Sequence, residues 1–184
     1  MRSLLLRWGV VLGFLAVPFT GAFAAADADL LQEAHARTTQ LVALLKDPYA
    51  EEYPAARGMQ IFHEKPTGMD VVVTVLTIES FGQGNNHTQF LAVFATLGET
   101  FDDRPNGLSL LDVMAIGGKG WRSIDFKSIK VGKEKGQITV RVPTMEYAPN
   151  DPMCCPSVKS AAVFAIDHQV GGRLVEMKKE EVRK

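Results

Sequence analysis

The sequence lacks a charge imbalance, a set of spaced cysteines and a long uninterrupted apolar segment. Its 20 Lys and Arg residues nearly balance 21 Asp and Glu residues, and the formal net charge is −1. Nucleic-acid binding needs a basic surface, so this balance argues against nucleic-acid partners. The only two cysteines are adjacent, so neither has a separate partner elsewhere in the chain. The hydrophobic fraction of 46% and the charged fraction of 22% are those of an ordinary globular protein.

The amino terminus has the pattern of a secretory signal peptide. Arg2 and Arg7 are basic, residues 4–17 are mostly apolar, and Ala22-Phe23-Ala24 is a small-x-small cleavage site. The alternative is a membrane anchor, but the apolar run is shorter than the roughly 20 residues that a spanning helix needs. We therefore expect residues 1–24 to be a signal peptide that is cleaved near Ala24, with no membrane span in the mature protein. The expected localisation is periplasmic or secreted.

The remaining residues, 25–184, are predicted to form a single globular envelope domain. Their formal net charge is −3, because the two arginines of the signal peptide are lost. A chain of this size buries about two thirds of its unfolded surface, which is enough for one hydrophobic core.

The apolar pattern predicts an α+β fold. Apolar residues recur at helical spacing over residues 27–47, and Asp47-Pro48 is a helix stop. From Asp70 onward the apolar period changes to two, which is typical of strands. We expect an N-terminal helix packed on a mainly antiparallel meander sheet of about seven strands, with residues 48–69 as a connecting segment. The predicted strands are 71–78, 90–97, 108–116, 124–132, 137–142, 161–166 and 173–177, with a bend near Ser128 in the fourth.

Two glycine-rich loops contain residue types that bind ligands or partners. Residues 82–87 connect two central strands, which favours a hairpin turn or a polar recognition loop. Residues 117–122 lack the spacing of a phosphate-binding loop, and no helix pattern follows them. Their Lys119, Trp121 and Arg122 are candidates for an exposed aromatic and cationic contact surface. In the alternative interpretation, Trp121 covers the open end of the core.

A third loop, residues 143–157, contains four prolines and both cysteines and is predicted to be rigid. Adjacent Cα atoms lie about 3.8 Å apart, below the roughly 4.4–6.8 Å typical of disulfides, so a bond between Cys154 and Cys155 would be strained. In an oxidising compartment, two exposed thiols would nevertheless be expected to oxidise. Four states stay open: a vicinal disulfide, buried reduced thiols, intermolecular disulfides, and binding of a soft metal such as Cu(I).

The sequence gives little support to a metal site or to catalysis. None of the four histidines is spaced from another as metal ligands are, so a complete copper site would need His63, His87 or His168 from elsewhere in the fold. We predict no cofactor and no metal site. Neither a serine nucleophile motif nor the context of a catalytic cysteine is present, which argues against an enzyme.

The third loop also resembles a known family. Its run Asp151-Pro152-Met153-Cys154-Cys155-Pro156-Ser157 is similar to the D-P-x-C-C-P-S signature of the LppP/LprE lipoprotein family, and small exported bacterial proteins of unassigned function also look like this chain at residues 117–120. The signature covers the last third of the chain, and no lipidation cysteine follows the apolar run. The resemblance implies a bacterial cell-envelope protein and no particular activity.

These patterns predict an exported binding or interaction module whose partner is an envelope protein or a small ligand. The alternative is a thiol-redox or Cu(I)-handling protein that uses the two cysteines. A third hypothesis is structural, with the double cysteine holding the long loop on the sheet. The candidate site residues are Lys119, Trp121, Arg122, Tyr147, Asp151, Met153, Cys154 and Cys155.

Overall fold

The computed structural model describes residues 21–65, 67–96, 107–167 and 172–181. Residues 1–20, most of the predicted signal peptide, lie outside these ranges, as does His168. The described residues form an α+β fold, as predicted.

One α-helix, α1, spans Gly21–Leu45. It begins six residues earlier than predicted, so it includes the predicted cleavage site. Ala34 and Leu41 of the predicted apolar stripe are buried, and Asp47 ends the helix by accepting hydrogen bonds from the backbone N–H groups of Tyr49 and Ala50, both at 2.8 Å. No helix among the described residues is long and apolar enough to cross a membrane.

The sheet contains ten strands in the described part of the chain, so the prediction of about seven was too low. All pairings are antiparallel. Neighbours in the sheet follow the order β1-β3-β4-β5-β6-β8-β9-β10, while β2 pairs with β3 and β7 pairs with β8. The strands are β1 Glu51–Glu52, β2 Gly58–Glu64, β3 Met69–Glu79, β4 His87–Thr96, β5 Leu108–Gly118, β6 Arg122–Ile124, β7 Lys130–Glu134, β8 Gln137–Glu146, β9 Val158–Asp167 and β10 Arg173–Glu181.

One divided strand and two strands that were not predicted account for the difference in number. The predicted strand at 124–132 is divided into β6 and β7 by a single 3₁₀ turn, Phe126–Ser128, which confirms the expected bend near Ser128. The connecting segment predicted at 48–69 was wrong, because β1 and β2 lie there and pair with β3. A second 3₁₀ turn, Pro54–Ala56, separates those two strands.

Successive residues of β3 face two different apolar layers. Val71, Val73 and Val75 belong to the larger core cluster, which also contains Phe164 from β9. Val72 belongs to the second cluster together with residues of α1. Burial on both faces explains the continuous apolar run in this strand.

The sheet curls so that β10 returns to β5. The backbone N–H of Leu174 donates to Asp112 Oδ2 at 2.7 Å. A Cβ atom at Gly172 would come within 2.9 Å of the Leu111 side chain, so the start of β10 lies directly on β5. These contacts join the carboxyl-terminal strand to the middle of the chain.

Candidate functional site at the loop end of the sheet

Hydrogen bonds bring the three loops singled out in the sequence together at one end of the sheet. The backbone N–H of Lys119 donates to the His87 carbonyl at 3.2 Å, and its Nζ donates to the Asn85 carbonyl at 2.6 Å. The backbone N–H of Gly120 donates to the Tyr147 hydroxyl at 3.3 Å. The β5–β6 turn therefore connects the first loop to the double-cysteine loop.

The double-cysteine loop has an ordered internal structure. The Tyr147 hydroxyl donates a hydrogen bond to the Met153 carbonyl. The backbone N–H of Cys155 donates to the Pro152 carbonyl at 2.9 Å and closes a turn around Met153 and Cys154. Pro143 lies in β8, so three prolines remain in the loop between β8 and β9, and each of them restricts the backbone.

Asp151 holds the two ends of this loop together. Its Oδ2 accepts hydrogen bonds from the backbone N–H groups of Ala148 at 2.7 Å and Ser157 at 2.8 Å, and its Oδ1 accepts one from the Ser157 hydroxyl at 2.9 Å. The Ala148 N–H makes the largest contribution to lowering the pKa of this carboxyl, and the Ser157 bonds lower it further. Asp151 is therefore a structural anchor of the loop rather than a free contact residue.

Apolar side chains are exposed where the loops meet. Trp121 is 42% exposed and Met153 is 65% exposed, and Cys154 and Cys155 are both exposed. The terminal methyl of Met153 lies 3.5 Å from the position that a Cβ would take on Gly120, so Met153 packs against the turn that contains Trp121. We call Trp121, Met153, Cys154 and Cys155 the loop-end surface.

Arg122 is not part of the loop-end surface, because its side chain is fully buried. Its guanidinium forms a bidentate ion pair with Glu176 of β10, at 2.7 and 3.0 Å, and its Nε donates to the Ile116 carbonyl. The guanidinium carbon lies 4.6 Å from the ring centroid of Trp121 and 5.8 Å from that of Phe164, within cation–π range. The expected exposed cationic contact at this position is therefore replaced by a buried ion pair.

Cys154 and Cys155 are paired as a vicinal disulfide in the structure. Their exposure rules out the alternative in which they are small buried core residues. The described residues contain no group of three or more His, Cys, Asp or Glu side chains placed to hold a metal ion. His63, one suggested further ligand, contacts Asp70 at 2.7 Å and Asp27 at 3.2 Å.

The glycine at 117 allows neighbouring strands to pack closely. A Cβ on Gly117 would come within 2.7 Å of the Ile124 side chain and 2.9 Å of the Arg122 carbonyl. Gln89 holds the same corner, because its side chain accepts from the Ile124 N–H at 2.8 Å and donates to the Ile124 carbonyl at 3.3 Å. Close approach of β4, β5 and β6 therefore accounts for the glycine at 117.

Sequence reasoning missed two residues that build this site, Gln89 and Glu176. Each lies in a strand and is separated from its partner by 35 or 54 positions. Strand alternation places Glu176 on the inner face of β10, and a glutamate on an inner face is a signal that could have revealed its role.

Comparison with protein-family models, curated proteins and solved structures finds no match to this chain. The fold and the site together define an α+β domain with an ordered loop-end surface that exposes apolar side chains. The resemblance to the LppP/LprE signature stays a prediction.

Proposed function

We propose that this chain is an exported binding or interaction module of the bacterial cell envelope. Its contact surface is the loop-end surface, and its partner is an envelope protein or a small ligand. The signal-peptide pattern and the resemblance to the D-P-x-C-C-P-S signature support the export and the envelope location. The domain would then act in the periplasm or after secretion.

The observation that carries this proposal is the exposure of Trp121 and Met153 on loops that are fixed by hydrogen bonds. Burying an aromatic ring and a methionine against a partner yields binding energy. A surface that is already ordered loses little conformational entropy on binding. An exposed apolar group on a rigid loop therefore fits a recognition role better than a role in folding.

Affinity capture from a cell-envelope extract tests the proposal. Trp121→Ala and Met153→Ser are each expected to weaken capture of the partner about tenfold or more, as truncation of a central contact does. Leu110→Ala is the matched control for Trp121→Ala, because Leu110 is 43% exposed and lies near the opposite end of β5. Met177→Ser is the control for Met153→Ser, since both methionines are exposed.

Full capture by the Trp121 and Met153 variants would contradict the proposed surface, as would equal losses in the two controls. If the wild-type protein captures no protein, the envelope-protein partner is wrong. The small-ligand alternative then predicts that adding a low-molecular-weight extract changes the fluorescence of Trp121.

The exposed position of both cysteines favours a second candidate, a thiol-redox function. A thiolate of a dithiol donor would attack one sulfur of the Cys154–Cys155 pair and form a mixed disulfide. The donor's second thiolate would then displace that sulfur, so that the donor becomes a disulfide and the two cysteines, after taking up two protons, become thiols. The same reduced pair, with Met153 beside it, would be the soft donor set for Cu(I).

A thiol count and an intact mass, each with and without reductant, separate these states. Two free thiols in both samples would eliminate the vicinal bond, and with it the proposed exchange. Competition with a Cu(I) chelator, using a Cys154→Ser, Cys155→Ser variant as control, tests the copper function. Equal competition by the wild type and this variant would end the copper proposal.

A further inference from the structure

The buried side chain of Arg122 lies directly beneath Trp121, the aromatic residue of the loop-end surface. Arg122 has no exposed area, whereas Trp121 is 42% exposed. A buried guanidinium is costly unless its charge is paired and its N–H groups are bonded. Because Arg122 is buried, it does not serve as a solvated surface charge, and its contacts inside the protein must explain its presence.

Each part of the Arg122 guanidinium has a partner from a different strand. Glu176 of β10 binds it through both carboxylate oxygens, at 2.7 and 3.0 Å, and the Ile116 carbonyl of β5 accepts from its Nε. Bidentate pairing fixes the plane of a guanidinium as well as its position. The guanidinium is thus held as a fixed platform between β5, β6 and β10.

The Trp121 ring lies on this platform, with its centroid 4.6 Å from the guanidinium carbon. Trp121 lies in the turn immediately before β6, where its backbone N–H donates to the Gly118 carbonyl at 3.1 Å. That bond fixes the backbone but not the side-chain torsions that set the direction of the ring. The cation–π contact supplies the orientation that the backbone does not.

We infer that Arg122 is a positioning residue, whose guanidinium, fixed by Glu176, holds the Trp121 ring in the orientation that the contact surface uses. The inference depends on the proposed function for its biological meaning. Its physical content, the control of Trp121 by Glu176 through Arg122, is tested without any partner. Failure of the capture experiment and failure of this test are therefore separate results.

Fluorescence of Trp121 reads this contact directly. Trp8→Phe makes Trp121 the only tryptophan, whether or not the first 24 residues are removed. In that background, Glu176→Gln removes the charge that fixes the guanidinium, and Arg122→Lys keeps a cation but removes the planar fork. Both are expected to raise the acrylamide quenching constant of Trp121, by up to about twofold because 42% of the residue is already exposed.

Glu52→Gln is the control, because it breaks another bidentate ion pair, one that is more completely buried: the Glu52 side chain is 4% exposed and that of Glu176 is 30% exposed. Glu52 binds Arg57 at 2.7 and 2.9 Å, and Arg57 in turn holds α1 through the His35 carbonyl at 2.9 Å. This substitution is expected to lower stability without changing the quenching of Trp121. A general loosening of the fold would instead change quenching in all three variants.

An unchanged quenching constant in the folded Glu176→Gln and Arg122→Lys variants would overturn the inference, and so would an equal change in Glu52→Gln. If neither site variant folds, the wild-type protein decides the question by nuclear magnetic resonance. A ring at this distance shifts the Arg122 side-chain proton resonances upfield. Random-coil shifts for those protons would show that the ring does not lie on the guanidinium.

Discussion

Glu176→Gln is expected to destabilise the protein by an amount that follows from the geometry of its ion pair. The Arg122 side chain is fully buried and that of Glu176 is 30% exposed. Removing one partner of a buried pair typically costs about 3–5 kcal/mol, because the remaining charge is buried without compensation. Partial exposure of Glu176 and the carbonyl oxygen that Gln retains reduce this, so we expect a loss of about 2–3 kcal/mol.

Urea unfolding at neutral pH measures this loss as a lower midpoint with an unchanged slope, since the surface exposed on unfolding stays the same. In thermal unfolding it corresponds to a decrease in Tm of roughly 5–10 °C for a domain of this size. Glu134→Gln is the control, because Glu134 is exposed and its substitution should change the unfolding free energy by less than about 0.5 kcal/mol.

A loss below about 0.5 kcal/mol in Glu176→Gln would refute the reasoning, because it would equal the effect of a surface substitution. The Arg122 charge would then have access to water or to another anion. A strong dependence of the loss on salt would lead to the same conclusion, since buried pairs are screened much less than exposed ones.

Three further predictions concern a histidine, the loop anchor and a turn. The hydrogen bond that the His63 ring donates to the Asp70 carboxylate, together with the charges of Asp70 and Asp27, raises the pKa of His63 above its ordinary 6.5. The contact therefore stabilises the fold fully below pH 6.5, and this stabilisation is lost as pH rises through the raised pKa. A resonance titration should show this pKa fall in Asp70→Asn, and a wild-type pKa at or below 6.5 would contradict the contact. Because the pKa of Asp151 is lowered, its hydrogen bonds stabilise the loop fully above the ordinary pKa of 3.8, and this stabilisation is lost as pH falls through the lowered pKa. Asp151→Asn should speed amide hydrogen exchange at both ends of the loop. Unchanged exchange would argue against the role of Asp151 as an anchor. Gly172 has a φ of +87° and faces the Leu111 side chain, so Gly172→Ala should lower the free energy of unfolding in urea by at least about 1–2 kcal/mol. Gly132 has open space around it, so the control Gly132→Ala should be neutral or slightly stabilising. Equal effects of the two substitutions would contradict this prediction.

The sequence contains enough local information for most elements of the fold. The helical stripe includes Ala34 and Leu41, which are buried in the structure, and the apolar run of β3 predicts a strand covered on both faces. The strand β2 was missed because Gln60, His63 and Glu64 interrupt its apolar pattern. Its identity as a strand depends on pairing with β3, which is tertiary information.

The candidate site was predictable where its chemistry is local and was not where it depends on distant contacts. Trp121 and the double-cysteine loop stand out through composition and proline content alone. Arg122 was expected at the surface because it follows a glycine-rich turn and an aromatic residue. Its partner Glu176 lies 54 positions away, and only the curling of the sheet brings the two together.

Site-specific photo-cross-linking tests the central claim, that the loop-end surface contacts a partner. A benzophenone amino acid in place of Met153, which is 65% exposed, is expected to form covalent adducts with a discrete partner in a cell-envelope extract. The same amino acid in place of Leu110, near the opposite end of β5, is expected to form none. Absence of adducts at position 153, or identical adducts at both positions, would contradict the proposed contact surface.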